Sequence, residues 1–167
     1  MKTLIIYASL GGCTERAVRE LSQQLFGEVL SIDLKRQQLP PLREFDRIVI
    51  GYSIVSGRIN PEIHRFYIEQ KQNLADKEIG LFVCCSKDGH GAREIIKNAF
   101  PEGLHQMAKT EAIFRMTINL KEMSMVKRIL VKRVPRVLDN LADPDYESIS
   151  NFANRMERTW SPFMFLV

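Results

Sequence analysis

The residue types best suited to chemistry in this chain stand together at Ser9-Leu10-Gly11-Gly12-Cys13-Thr14. The segment leaves an apolar run at 3–8, offers two glycines and two hydroxyls, and enters a helical pattern that Thr14 is placed to cap. Backbone N–H groups at such glycines, with the positive end of a helix behind them, form a ready site for a phosphate. Ser9 and Thr14 add hydroxyl donors to it. The plainer use of the same residues is a Gly-Gly turn closed by a threonine cap.

Neighbouring chemistries are excluded by particular residues. No Lys follows the glycines, so the loop is not that of a nucleoside triphosphatase. There is no G-x-G-x-x-G, although Asp33 ends the second apolar run, where a dinucleotide-binding acid would stand. The third run ends in Gly51-Tyr52, not in the acceptor aspartate of a response-regulator receiver. Cys13 to Arg19 has the C-x5-R spacing of tyrosine-phosphatase loops, with Asp143-Pro144 imitating their general acid. A thiolate nucleophile needs an electropositive cradle. Glu15 and Glu20 crowd this one and Arg19 falls within the helical pattern, so no catalytic residue is assigned.

These residues must be positioned by a regular alternation of elements. Short runs, apolar on both faces, occur at 3–8, 28–32, 47–52, 79–85 and 112–118, as strands covered on both sides require. Helical patterns separate them. One runs from Thr14 and is ended by Gly27; a second opens at Pro61; a third covers 92–100 until Pro101 interrupts it; the last covers 146–160. Residues 34–46 suggest no element. Five strands alternating with helices predict an α/β sandwich of three layers around a parallel sheet of order 2-1-3-4-5. Ligands of such sheets bind beyond the carboxyl ends of the strands, which directs attention to residues 9–14, 53–60 and 86–91.

The chain has 167 residues, 45% hydrophobic, enough for one domain with a substantial core. Cys13, Cys84 and Cys85 lack metal-ligand spacing and suggest a reducing compartment. The apolar start is too short for an export signal and no run is long enough to span a bilayer, so a cytoplasmic protein is expected. The formal charge of +4 is unevenly spread: 115–136 holds seven basic residues and one acid, a local +6, while the remainder nets −2. From Lys121 this insertion reads as an amphipathic helix, with Met123, Val126, Ile129 and Leu130 opposite most of the charges. Such a helix fits an anionic membrane face, touched peripherally, or a quinone-bearing partner, and equally an ordinary surface helix packed on the sheet; nucleic acid is not expected as a partner.

Ser9-x-x-Gly12-x-Thr14 after an N-terminal strand resembles the FMN-phosphate loop of flavodoxins. Gly51-Tyr52-Ser53-Ile54-Val55-Ser56-Gly57-Arg58 resembles the loop flanking their flavin. More narrowly, the chain resembles flavodoxin-type, menaquinone-dependent protoporphyrinogen oxidases. It does so through Met1-Lys2-Thr3-Leu4-Ile5, the run from Asp46 to Gly51 and the basic, Met-rich insertion. The resemblance implies FMN as cofactor, held at its phosphate by Ser9, Leu10, Gly11, Gly12, Cys13 and Thr14. The ring would lie between Ser53, Ile54, Val55, Ser56 and Gly57 on one side and Ser86, Lys87, Asp88, Gly89 and His90 on the other. It further implies electron transfer between a reduced small molecule and a quinone or other acceptor. The pattern departs from flavodoxins in placing no aromatic residue at 54–56. Electron-carrier flavodoxins are typically acidic, whereas the insertion here is basic.

Overall fold

Alternating side chains along each strand sort the core into two halves. Residues 1–8, 12–54, 60–85, 92–117 and 143–158 are described by the structure, a computed structural model. Five parallel strands, β1 (Lys2–Ala8), β2 (Glu28–Asp33), β3 (Arg47–Ser53), β4 (Glu78–Cys85) and β5 (Ala108–Thr117), lie in the order β2-β1-β3-β4-β5. Leu4, Ile6, Ile48, Ile50, Leu81 and Val83 point to one face, where Ile63 and Phe66 of α2 (Pro61–Gln70) cover them. Ala99, Phe100 and Leu104, from the segment holding α3 (Ala92–Lys97) and α4 (Glu102–Met107), complete that layer. Ile5, Val49, Phe82, Cys84 and Phe114 point the other way. They meet Ala17, Val18 and Leu21 of α1 (Gly12–Gln24) and Ile149, Phe152 and Met156 of α5 (Tyr146–Glu157). The expected three layers and strand order are therefore those of the molecule.

Close packing in the second layer explains Gly51. Phe82 stacks on Phe114 at 4.7 Å between centroids and meets Phe152 edge-on at 6.3 Å. A Cβ at Gly51 would enter the Phe82 ring. Gly27 has a different role: its φ of +90°, open mainly to glycine, turns the chain from α1 into β2.

Several boundaries differ from expectation for identifiable reasons. β5 begins at Ala108, not at 112, because the polar residues there have partners the sequence does not display. A bulge lets Ala108 and Thr110 pair with Ile79 and Gly80, and Lys109 reaches Glu78 at 3.0 Å and the Met156 carbonyl at 2.9 Å. The third helix stops at Lys97, and after Pro101 a separate short helix, α4, forms. Within 34–46 a 3-10 turn, Leu42–Glu44, buries Leu42. A two-residue strand β6 (Asp143–Pro144) adds antiparallel to Met116 and Thr117, an edge position that tolerates proline.

Asp145 then caps α5, accepting from the Ser148 N–H at 3.3 Å and hydroxyl at 2.6 Å. The Ser148 hydroxyl is the main cause holding the Asp145 carboxyl below its ordinary pKa.

Candidate functional site

Three strands of the sheet end side by side at its carboxyl edge: β1 at Ala8, β3 at Ser53 and β4 at Cys85. From β1 the chain passes to α1 on one face of the sheet, and from β3 to α2 on the other. The direction of winding reverses between these neighbours, and a crevice at that point is where open α/β sheets bind ligands.

Two polar side chains near this edge have no hydrogen-bond partner among the described residues. Thr14, 1% exposed in the first turn of α1, has a buried hydroxyl that no described group engages. Ser53, 6% exposed at the end of β3, is in the same condition. A buried hydroxyl without a hydrogen bond costs roughly 1–3 kcal/mol, so such groups mark strain or an intended ligand. The first turn of α1 also carries the positive end of the helix. The arrangement suits an oxyanion: two hydroxyl donors near a helix N-terminus.

Of the expected site residues, Gly12, Cys13, Thr14, Ser53 and Ile54 are brought to this edge. Ser9, Leu10, Gly11, Val55, Ser56, Gly57, Ser86, Lys87, Asp88, Gly89 and His90 lie outside the described residues. One expectation needs correction. The helix begins at Gly12, so Thr14 is not its cap but a residue of its first turn. The Cys13 side chain is fully buried in the α1–α5 layer, which leaves only its backbone to face a ligand. That burial also removes the phosphatase alternative, because the thiol is inaccessible while Arg19 lies exposed on α1, 4.0 Å from Glu15. Ile54 continues beyond β3, donating its N–H to the Cys84 carbonyl at 2.9 Å.

Asp33 is committed to its own turn. Its carboxylate accepts from the Lys35 N–H at 3.0 Å and pairs with Arg36 at 3.6 Å. Beside it, Tyr7 has its pKa raised, first by burial and then by the negative charges of Glu15 and Asp33. Cys84 and Cys85 are buried in the core, as residues ending an apolar strand should be.

Asn60 escaped sequence reading, although Asn before Pro is a helix-start signal. Its side chain caps α2 by accepting from the Glu62 N–H at 2.9 Å. Tyr52 is a buried core tyrosine as expected, with a hydroxyl that donates to the Ala99 carbonyl.

Residues 4–145 match the model of a family described as Flavodoxin domain. Among solved structures, flavodoxin 1 of Bacillus cereus is 16% identical with a TM-score of 0.58, over 96% of this chain and 100% of that one. A flavodoxin from the domain Archaea is 15% identical with a TM-score of 0.56, over 95% and 100%. A Fusobacterium nucleatum flavodoxin solved with flavin mononucleotide is 12% identical with a TM-score of 0.50, over 93% and 96%. At these identities the structures speak for the fold alone. No curated protein matches the sequence.

Proposed function

The chain belongs to the flavodoxin domain family, and from that premise we propose that it is an FMN-dependent oxidoreductase. It passes electrons from a reduced small molecule, protoporphyrinogen being the specific candidate, to a quinone or another acceptor. The observation that carries the flavin is the pair of buried hydroxyls, Thr14 and Ser53, that have no hydrogen-bond partner among the described residues at the carboxyl edge. Ser9, Leu10, Gly11, Gly12, Cys13 and Thr14 would hold the phosphate. Residues 53–57 and 86–90 would flank the ring. Bound there, FMN supplies the redox chemistry. The chain's own part is to fix the group's orientation and to neutralise its phosphate with N–H and O–H donors instead of lysine.

Protein incubated with FMN is expected to show a flavin absorption spectrum with quenched or shifted fluorescence. The holoprotein is expected to oxidise protoporphyrinogen with a menaquinone analogue under strict anaerobiosis, above the spontaneous rate. Binding without turnover, with rapid electron exchange with a reductase, would identify a carrier instead. No binding at high micromolar FMN would reduce the chain to a non-catalytic module of this fold.

The basic insertion is given an anionic membrane face as its partner, on the cytoplasmic side. Both of its roots, Thr117 and Asp143, are paired with each other at the sheet's carboxyl edge, the edge assigned to FMN. A membrane-held quinone would thus meet the flavin from that side. No helix among the described residues is long and apolar enough to cross a membrane, so the contact proposed is peripheral. Each basic residue near an anionic surface contributes about 1 kcal/mol, and four or five give reversible attachment. Wild type should sediment with anionic but not neutral liposomes and be released by salt. Charge reversal at Lys127, Arg128 and Lys132 should abolish sedimentation; unaltered sedimentation would refute the contact.

A further inference from the structure

We propose that the outer edge of β2 is a self-association surface, on which a second copy of this chain pairs antiparallel about a two-fold axis at Leu30. β2 ends the sheet and, among the described residues, pairs only with β1. Its backbone groups alternate in direction. The N–H groups of Glu28 and Leu34 donate inward, to the carbonyls of Met1 and Tyr7. Val29, Ser31 and Asp33 therefore turn theirs outward, and the Asp33 N–H is already taken by the Gln37 side chain at 2.9 Å. Nothing on this edge discourages pairing: Val29 and Ser31 are neither charged nor proline, and the strand keeps a regular register without a bulge. Leu30 is 42% exposed, and the cause lies in the connection that follows. It stands beside Leu4 on the face that α2 covers, yet the link from β2 to β3 forms only the three-residue 3-10 turn. Each of the other parallel crossovers contains an α-helix. Met1 and Phe26, both exposed, extend the apolar surface at the amino end of the same edge, where the Met1 carbonyl lies against Gly27.

The register follows from the free backbone groups. With Leu30 on the axis, Val29 of each copy faces Ser31 of the other, and the two exchange N–H···O=C bonds. Leu30 then meets Leu30 of the second copy as a close, non-hydrogen-bonded pair, which covers the exposed side chain. Glu28, paired with Lys2 at 3.2 Å, falls across from Ile32, so no like charges are opposed. An axis at Ser31 would set Val29 against Asp33, whose N–H is occupied. An axis at Val29 would set Ser31 against Gly27, where a φ of +90° has left the extended conformation. The arrangement about Leu30 alone uses the outward groups of both residues. It joins the two sheets into one and leaves both carboxyl edges open, pointing in opposite directions.

Sedimentation equilibrium of the full chain, without added flavin, tests this. One strand edge is small beside the roughly 1,200–2,000 Å² of stable complexes, so a reversible dimer with a dissociation constant in the micromolar range is expected. On the axis a residue meets its own copy, which makes charge diagnostic. Leu30→Lys and Leu30→Glu should each weaken the dimer by about tenfold or more, through lost apolar contact and opposed like charges. An equimolar mixture of the two variants should associate about tenfold more tightly than either alone, because unlike charges are then paired. Since Leu30 lies at the surface, both variants should melt within about 2 °C of wild type at concentrations where all three are monomers, which separates lost pairing from lost folding. A wild type that stays monomeric at about 1 mM would overturn the proposal. So would a dimer that both variants keep, or a mixture no tighter than its components, since the contact would then lie on another surface or in another register.

Discussion

Gly12→Asp is expected to weaken FMN binding by at least about a hundredfold while leaving the apoprotein's melting temperature unchanged or slightly raised. The opposite signs follow from one location. Gly12 is the first residue of α1, and a carboxylate there meets the positive end of the helix, an interaction worth about 0.3–1 kcal/mol. The same carboxylate opposes a phosphate bound at that end. Two unit charges about 5 Å apart at an effective dielectric near 20 repel by roughly 3 kcal/mol, which is about a hundredfold in affinity.

Thr14→Val sharpens the test by removing only the hydroxyl that has no described partner. It should stabilise the apoprotein, by about 1 kcal/mol if that hydroxyl is desolvated without return. FMN affinity should fall about tenfold, since charge-assisted bonds exceed neutral ones. Calorimetric titration with FMN and thermal melts of the apoproteins give both quantities. A Thr14→Val protein that melts earlier and binds FMN as wild type does would make the hydroxyl structural and the phosphate site misplaced.

The order of the sheet was legible because parallel strands covered on both faces must be apolar at successive positions. Leu4-Ile5-Ile6, Ile48-Val49-Ile50 and Leu81-Phe82-Val83 satisfy that, and all nine are fully buried. The candidate edge was indicated for a related reason, since glycines and hydroxyls stand directly after a strand and before a helix, though of these only Gly12 and Thr14 lie among the described residues. What stayed hidden depends on contacts distant in sequence. The polar start of β5 is stabilised through Lys109, whose partners Glu78 and Met156 lie 31 and 47 residues away. The burial of Cys13 depends on α5, at the far end of the chain. Tyr52 reads as any core aromatic until the Ala99 carbonyl, 47 residues on, is seen to accept its hydrogen bond. Helix periodicity also cannot register where one turn of backbone stops, so 92–100 passed for one helix when Pro101 starts another.

Arg47→Ala is expected to destabilise the protein by about 3 kcal/mol, the low end of the cost of removing one partner from a buried charge pair, because the Glu157 carboxylate left behind is only partly buried. Arg47 is 1% exposed at the amino end of β3. It donates to Glu157 at 2.6 Å, Glu78 at 3.3 Å and the Met156 carbonyl at 3.0 Å, fastening the end of α5 to the sheet. Lys109 still reaches Glu78 and the Met156 carbonyl in the variant, so the uncompensated group is chiefly Glu157, whose other contact is the Phe26 N–H. Against a total of about 5–15 kcal/mol such a loss is large, and for a chain of this size it lowers the melting temperature by on the order of 10 °C. Replacing the pair together, with Arg47→Met and Glu157→Leu, should recover much of it, because the partly buried carboxylate goes with its partner.

Arg47 and Ser53 are separated by the length of β3, about 20 Å at ~3.3 Å per residue. FMN affinity measured well below the melting transition should therefore be unchanged in both variants, the reverse of the Gly12→Asp result. A loss under about 1 kcal/mol in urea for Arg47→Ala would show that water or Lys109 replaces the guanidinium. The clasp on α5 would then be incidental to stability.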